Sequence, residues 1–411
     1  MGYYRYGVPG VERPIQTRSG GTTMDFSFSP DQQEIRDAVL RLCTRFDENY
    51  WLKKDHEGTF PHDFYQAVVD DGWLGIATPA EFGGAGLGIT EAAVMMQAIA
   101  ESGACLSGAS AVHLPVFGLQ PVVLFGTAEQ KQRILPPVVR GEHKVCFAVT
   151  EPNAGLNTTA LKTRAERREG GYLVNGEKIW ITTAQVADKM LLLARTTPHD
   201  QVKRKTDGLS LFYTDLDRAK IEVRLIHKHG RHAVDSNMLF IQDLWVPEQD
   251  RIGPEGDGFR IIMHGMNPER ILISAEAVGI GRAALQRAAR YARERIVFNR
   301  PIGMNQGIQH PLAKCWAQLE AANLMAFKAA TLFDAGKDCG VEANAAKYLA
   351  GEFGFEACHT AMLSMGGMGY AQEFHVERYM RESLIPRTAP VSPHMILNFL
   401  AEKVLGLPKS Y

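Results

Sequence analysis

The feature that most constrains this chain is a change of hydrophobic period in its middle. Up to about residue 145 the apolar residues recur with helical spacing. In "SPDQQEIRDAVLRLCTRF", Ile35, Val39, Leu42 and Phe46 share one face, Ser29 can cap the helix and Pro30 suits its first turn. "FPHDFYQAVVDDGWLGIATP", "TEAAVMMQAIAESGA" and "AEQKQRILPPVV" continue the pattern. From residue 146 it gives way to short alternating or continuous apolar runs divided by turn residues: "KVCFAVTE", "GYLVNGEKIWITTA", "KMLLLARTT", "GLSLFYTD" and "NMLFIQDLWVP". Helical spacing returns after Gly258, with one long helix expected from Pro268 to Phe298. Periods of 3.6 and 2 bury different faces, so the blocks must be separate structural units. The expected class is α+β: an N-terminal helical domain at 24–145, a middle β-barrel or sandwich at 146–258 and a C-terminal helical bundle at 259–411. Residues 1–23 mix Tyr, Arg, Gly and Pro without an apolar core, and read as a flexible extension or cloning remnant, not a secretory signal.

Composition excludes several classes of function. A net charge of −1 over 411 residues gives no global field for nucleic acid or an anionic membrane. Apolar stretches such as Ile261–Met263 and Met362–Met365 fall far below the ~20 residues of a spanning helix. Six scattered cysteines without CxxC spacing point to free thiols in a reducing compartment, cytoplasmic or, in a eukaryote, the mitochondrial matrix. Two glycine patterns, "EFGGAGLG" and the GxG at Gly279 and Gly281, lack the strand-turn-helix context of a dinucleotide fingerprint; they read as a loop and as close helix packing. "HKHGRH" (His227, His229, His232) reads as a solvated turn, with no metal site expected. Ser107, Ser110 and Ser364 lack a nucleophile-elbow context.

The informative segments are "FAVTEPNAGLNTTALKTRA" and "GYLVNGEKIWITTA". With "MDFSFSPDQQEIRDAV", "QDLWVP" and "RERIVFNRPIGMNQGIQHPLA" in the same order, the chain resembles the acyl-CoA dehydrogenase family over about residues 24–411. The resemblance implies FAD. A flavin ring needs a flat apolar partner and hydrogen bonds at its polar edge. Trp180 would supply the face, with Ile181 beside it, and Thr182, expected on the same side of the strand, would reach flavin N5. Phe147, Val149, Thr150 and Gly155 would line the pyrimidine side. The alternation also reads as plain barrel core for Trp180 and Val149. Arg295, Val297, Phe298 and Gln306 match the run that binds the diphosphate and adenosine across a subunit boundary, although arginines here also read as a solvated helix face. Leu363, Gly366 and Gly367 match the glycine element that approaches a neighbour's cofactor, and Ser392 and His394 occupy positions that contact FAD in relatives. Sharing FAD implies a homo-oligomer, a tetramer built as a dimer of dimers. The chain departs from the family at Leu156 and Asn157, in place of Ser and Asp, and at Leu363, in place of Gln.

The base is the puzzle. In much of the family a catalytic Glu follows the "MRD" element by nine residues; counted from Arg381, that position is Pro390. A subset resembling isovaleryl-CoA and long-chain enzymes carries the carboxylate on the helix opening the last domain, here "NPERILISAEAVG". Asn267 is the expected N-cap, with Pro268, Glu269 and Arg270 in the first turn. Glu269 would be the general base and Arg270 would orient the substrate, while a Glu in a first turn also occurs for stability alone. Proline lacks the N–H that would help bind the thioester carbonyl, so Val391 is the expected donor, with Leu156 and Asn267 also facing substrate. The expected activity is α,β-dehydrogenation of an acyl-CoA, with electrons passed to an electron-transfer flavoprotein. Alternatives are a flavin monooxygenase on the same fold, a carrier-protein thioester dehydrogenase and a flavin-free scaffold. Met95, Met96, Leu363 and Met365 suggest an aliphatic lining or core packing.

Overall fold

A computed structural model of the chain describes residues 25–410; the 1–23 extension and Met24 lie outside the described residues. Seven helices come first: α1 (Pro30–Cys43), α2 (Glu48–Glu57), α3 (His62–Asp70), α4 (Ile89–Ile99), α5 (Cys105–Phe117), α6 (Gln120–Phe125) and α7 (Ala128–Val139). Ser29 closes α1 with a capping box, its hydroxyl accepting from the Gln32 N–H while the Gln32 side chain accepts from the Ser29 N–H. Ile35, Val39 and Leu42 are buried as their spacing requires, and Phe46 packs beside them beyond the helix end.

The strands follow: β1 (Val145–Ala148), β2 (Arg164–Arg168), β3 (Gly171–Thr182), β4 (Lys189–Arg195), β5 (Leu209–Asp215), β6 (Ile221–Leu225), β7 (Ser236–Pro247) and β8 (Arg251–Ile252). They form one sheet in the order β6-β7-β3-β2-β4-β5-β8, with β1 beside β4. The pairing is antiparallel except between β1 and β4 and at one β2–β4 pair. The continuous apolar run of β4 follows from burial on both faces. Met190, Leu192 and Ala194 join Tyr172, Val174 and Phe212, whereas Leu191 and Leu193 pack with Val122, Leu135 and Ile261 from the flanking helices.

The last block holds α8 (Gly258–Met263), α9 (Met266–Glu294), a two-strand ladder of β9 (Ile296–Val297) and β10 (Arg300–Pro301), α10 (Gln306–Asp334) and α11 (Gly340–Met365). Short helices complete it: α12 (Gly367–Tyr370), α13 (Val376–Glu382), α14 (Ile385–Thr388) and α15 (Pro393–Lys403). The long helix α9 begins before Pro268 and ends before Arg295, because Ile296 and Val297 leave it to pair with Pro301 and Arg300. It is the spine of the molecule, packed against α4, α5, α10 and α11. The lone GxG serves that packing. A Cβ on Gly279 would stand 2.5 Å from the Gln97 carbonyl oxygen on α4, and one on Gly281 would stand 2.9 Å from Leu319 on α10.

Two readings need correction. Short apolar stretches are not the whole picture, since Ile89–Phe125 is long and apolar enough, by length and composition, to cross a membrane. It is broken at Ala100–Ala104, where Gly103 has φ 98°, and 67% of its most apolar window is buried within the fold. Met95 and Met96 are fully buried in the core of α4, Met365 is buried beneath α9 and Leu363 is exposed, so these residues do not form a common lining. The six cysteines are buried and free, and burial pushes the thiols of Cys43 and Cys358 up to about 11 and about 12.

Candidate active site

The signature segment is organised by a buried ion pair. Lys178 of β3 is fully buried and donates to Glu151 Oε1 at 2.9 Å and to the carbonyls of Val149 (3.1 Å) and Leu193 (2.8 Å). Burial lowers its pKa to about 8, against the pull of Glu151. Glu151 also accepts the N–H groups of Lys162 and Thr163, closing the loop between them. The Ile179 N–H donates to the Thr150 carbonyl at 2.9 Å. Phe147, Val149 and Thr150 are thereby held half-buried beside the end of β3, with Gly155, Leu156 and Asn157 exposed on the loop.

Trp180 departs from regular strand geometry. The β3–β7 register shifts between Lys178 and Ile181, and Trp180 has φ 63°. The left-handed turn breaks the alternation on which its same-side placement with Thr182 was based. It also takes Trp180 out of the core: 55% of its surface is exposed, whereas Ile181 is buried. Thr182 ends the strand half-buried, its hydroxyl accepting from Arg231 at 3.3 Å.

A second group of polar side chains gathers where α5 meets the start of α9. Asn267 is not an N-cap: α9 starts at Met266, so Asn267 lies inside the first turn and accepts from Arg270 Nη1 at 3.1 Å. Glu269 is half-buried, and no hydrogen bond reaches its carboxylate among the described residues. Burial pushes its carboxyl above the usual range; His113, Arg270 and Lys347 draw it back, and Glu276 adds to the rise. Glu276, two turns along α9, is fully buried and bonded to His113 Nδ1 of α5 at 2.5 Å. Although burial disfavours the imidazolium, Glu276 and Glu269 raise the His113 pKa. Lys347 of α11 donates to the carbonyls of Arg387 (3.3 Å) and Val391 (2.5 Å), holding the loop around Pro390. Burial and Arg270 lower its pKa to about 8. The Val391 N–H carries no hydrogen bond among the described residues.

The cofactor candidates of the 295–306 and 363–367 segments lie at the other end of α9, whereas Ser392 and His394 follow Val391. Arg295, Val297, Leu363, Gly366 and Gly367 line one surface cavity of about 430 Å³, with Asn305 just before Gln306. Neither Trp180 nor Thr182 lines it. Gly366 has φ 60° and ψ −136°, a conformation that requires glycine, and a Cβ there would meet open space. Arg295 has no ion-pair partner among the described residues, and Phe298 is 93% exposed. The Ser392 hydroxyl caps α15, and His394 is exposed beside it.

Family models for the N-terminal, middle and C-terminal domains of acyl-CoA dehydrogenases match residues 29–142, 146–244 and 256–402. The chain belongs to the acyl-CoA dehydrogenase family. It is 35% identical to the acyl-CoA dehydrogenase FadE12 of Mycobacterium tuberculosis, over 95% of this chain and 100% of that one. Among solved structures it resembles butyryl-CoA dehydrogenase of Megasphaera elsdenii, with 28% identity, TM-score 0.88 and coverage of 93% and 100%. The prolyl acyl carrier protein oxidase AnaB is similar at 28% identity and TM-score 0.87, with the same coverage. The protein is an FAD-dependent oxidoreductase, and its residues fit that cofactor. The indole of Trp180, turned out of the core and 55% exposed, suits a flat heteroaromatic ring, and Arg295, without an ion-pair partner among the described residues and lining one cavity with Gly366, suits a diphosphate.

Sequence reasoning missed His113, Glu276, Lys347 and Arg231. For the first three no local signal exists, since helical histidines, glutamates and lysines are commonplace. Arg231 sat in "HKHGRH". His227 and His229 are exposed in that turn as expected, while His232 bonds the Lys228 carbonyl and stands 3.3 Å from Asp55. No cluster suited to a metal ion occurs among the described residues.

Proposed function

We propose that the protein dehydrogenates the α,β-bond of an acyl thioester with Glu269 as general base. The observation that carries this is the position of Glu269: a half-buried carboxylate with no hydrogen-bond partner among the described residues, on the rigid first turn of α9, with burial raising its proton affinity. Bound FAD supplies the acceptor for the hydride leaving the β-carbon. Glu269 takes the α-proton; both electrons of the broken C–H bond pass toward the new double bond. The Arg270 guanidinium, bonded to Asn267, holds positive charge beside that carboxylate. Lys347 fixes the carbonyls of the 387–391 loop, which leaves the free Val391 N–H to donate to the thioester oxygen in place of Pro390. Trp180 and Thr182 would hold the ring, and Arg295, Gln306, Gly366 and Gly367 would hold the remainder of a cofactor shared between copies, in a homotetramer. The electrons then go to an electron-transfer flavoprotein, in the cytoplasm or mitochondrial matrix.

The test is anaerobic mixing of the FAD-loaded protein with a panel of acyl-CoA thioesters. Bleaching of the flavin with formation of an equimolar enoyl-CoA supports the reading. Oxygen-dependent hydroxylated product without anaerobic bleaching would establish the monooxygenase instead. Reduction only by a carrier-protein thioester would move the substrate class toward that of AnaB.

A further inference from the structure

Arg231 is the most demanding polar side chain that the dehydrogenation reading leaves without a task. It lies in the connection between β6 and β7 at φ 58°, and its guanidinium turns inward. Three hydroxyls accept from it: Ser110 at 3.0 Å, Ser236 at 3.2 Å and Thr182 at 3.3 Å. No carboxylate of the described residues lies within ion-pair distance, and its buried Nε has no partner. Burial lowers its pKa, against the more distant pull of Glu382, Asp235 and Glu276. Those carboxylates are engaged elsewhere: Glu382 with Arg378 and Ser107, Asp235 with Asn237 and the Gln185 N–H, and Glu276 with His113. Neutral hydroxyls do not offset the desolvation of a guanidinium as an anion does.

Its position gives this meaning. Ser110 and His113 stand three residues apart on α5, so the Arg231 head lies one turn from the His113–Glu276 pair. That pair lies two turns along α9 from Glu269. The charged groups that act on the base are Arg270, His113 and Lys347 as cations against Glu276, and Arg231 acts in turn on His113. Among the described residues, Nε of Arg231 and Oε2 of the nearby Glu276 are both buried without partners.

We infer that the acyl part of the substrate carries a second, anionic group, a carboxylate, bound by Arg231 with the Ser110 hydroxyl. The preferred substrates are then monothioesters of dicarboxylic acids. The planar fork of arginine suits bidentate pairing with a carboxylate, and Ser110 supplies a neutral donor at its side. The carboxylate is only bound; it takes no part in the transfer of proton or hydride. This inference rests on the dehydrogenation reading.

The experiment compares anaerobic flavin reduction by glutaryl- and adipoyl-CoA with that by pentanoyl- and hexanoyl-CoA, in the wild type and in Arg231→Gln and Arg231→Lys. The wild type should favour the carboxylated thioesters in kcat/KM by at least ~10², as a site with a buried polar partner discriminates. Arg231→Gln should erase that ratio, chiefly through KM, and Arg231→Lys should restore part of it. A wild type that prefers the neutral chains overturns the inference and leaves the dehydrogenase reading standing. So does an Arg231→Gln protein that loses activity equally on both series, since Arg231 would then serve the fold or the cofactor. If neither series, over all chain lengths, reduces the wild-type flavin, it is the dehydrogenase reading that fails.

Discussion

Replacing Glu269 by glutamine tests the centre of the mechanism, and the structure sets the size of each effect. The side chain accepts no hydrogen bond from the described residues, so the amide breaks no internal contact. Its carboxyl is raised by burial, with His113, Arg270 and Lys347 opposing. For an acid whose folded pKa is raised, the folded state holds its proton longer, so the stability it contributes is present at low pH and lost as pH rises through the folded pKa. A neutral amide removes that loss. Glu269→Gln should therefore bind FAD as the wild type does and melt at an equal or higher temperature at pH 8. Flavin reduction should fall by ~10²–10⁴, about 2.7–5.5 kcal/mol of barrier, the range for a positioned base. The assay is anaerobic stopped-flow absorbance of the flavin with a thioester that reduces the wild type, alongside thermal melts of both proteins. Adding Pro390→Glu to this variant should recover part of the rate, because it returns a carboxylate and an N–H to the family's common position. Reduction of Glu269→Gln at the wild-type rate would refute the assignment, and a lower melting temperature at pH 8 would refute the electrostatic account.

His113→Asn removes a cation that draws the Glu269 carboxyl down, so the rise of the reduction rate with pH should move to higher pH; an unmoved profile would disconnect the two groups. Lys178→Met leaves Glu151 buried without its counter-ion and frees two carbonyls, and should cost roughly 3–5 kcal/mol by denaturant titration. Arg295→Ala should weaken FAD retention and shift assembly, read together by flavin absorbance and light scattering. Loss of FAD from an intact oligomer would show that assembly does not depend on the shared site.

What the sequence determined by itself is the order of the blocks and the identity of the signature residues. The change from period 3.6 to period 2 is written locally, because each residue's face follows from its neighbours. Ser29 and Gln32 make a cap that any reader of four residues can find. Glu269 was legible only through its motif context, and the helix is capped by Gly265, two residues before the expected Asn267. The tertiary structure decided the rest. Trp180 leaves the core through a register shift that period two does not encode. The buried pair of Lys178 and Glu151 joins β3 to the loop that follows β1. His113, Glu276 and Lys347 meet Glu269 only because three helices converge, and Arg231 joins them from a loop between two strands. Charges that sit far apart in the chain interact through position and burial alone, and neither quantity exists until the helices have packed.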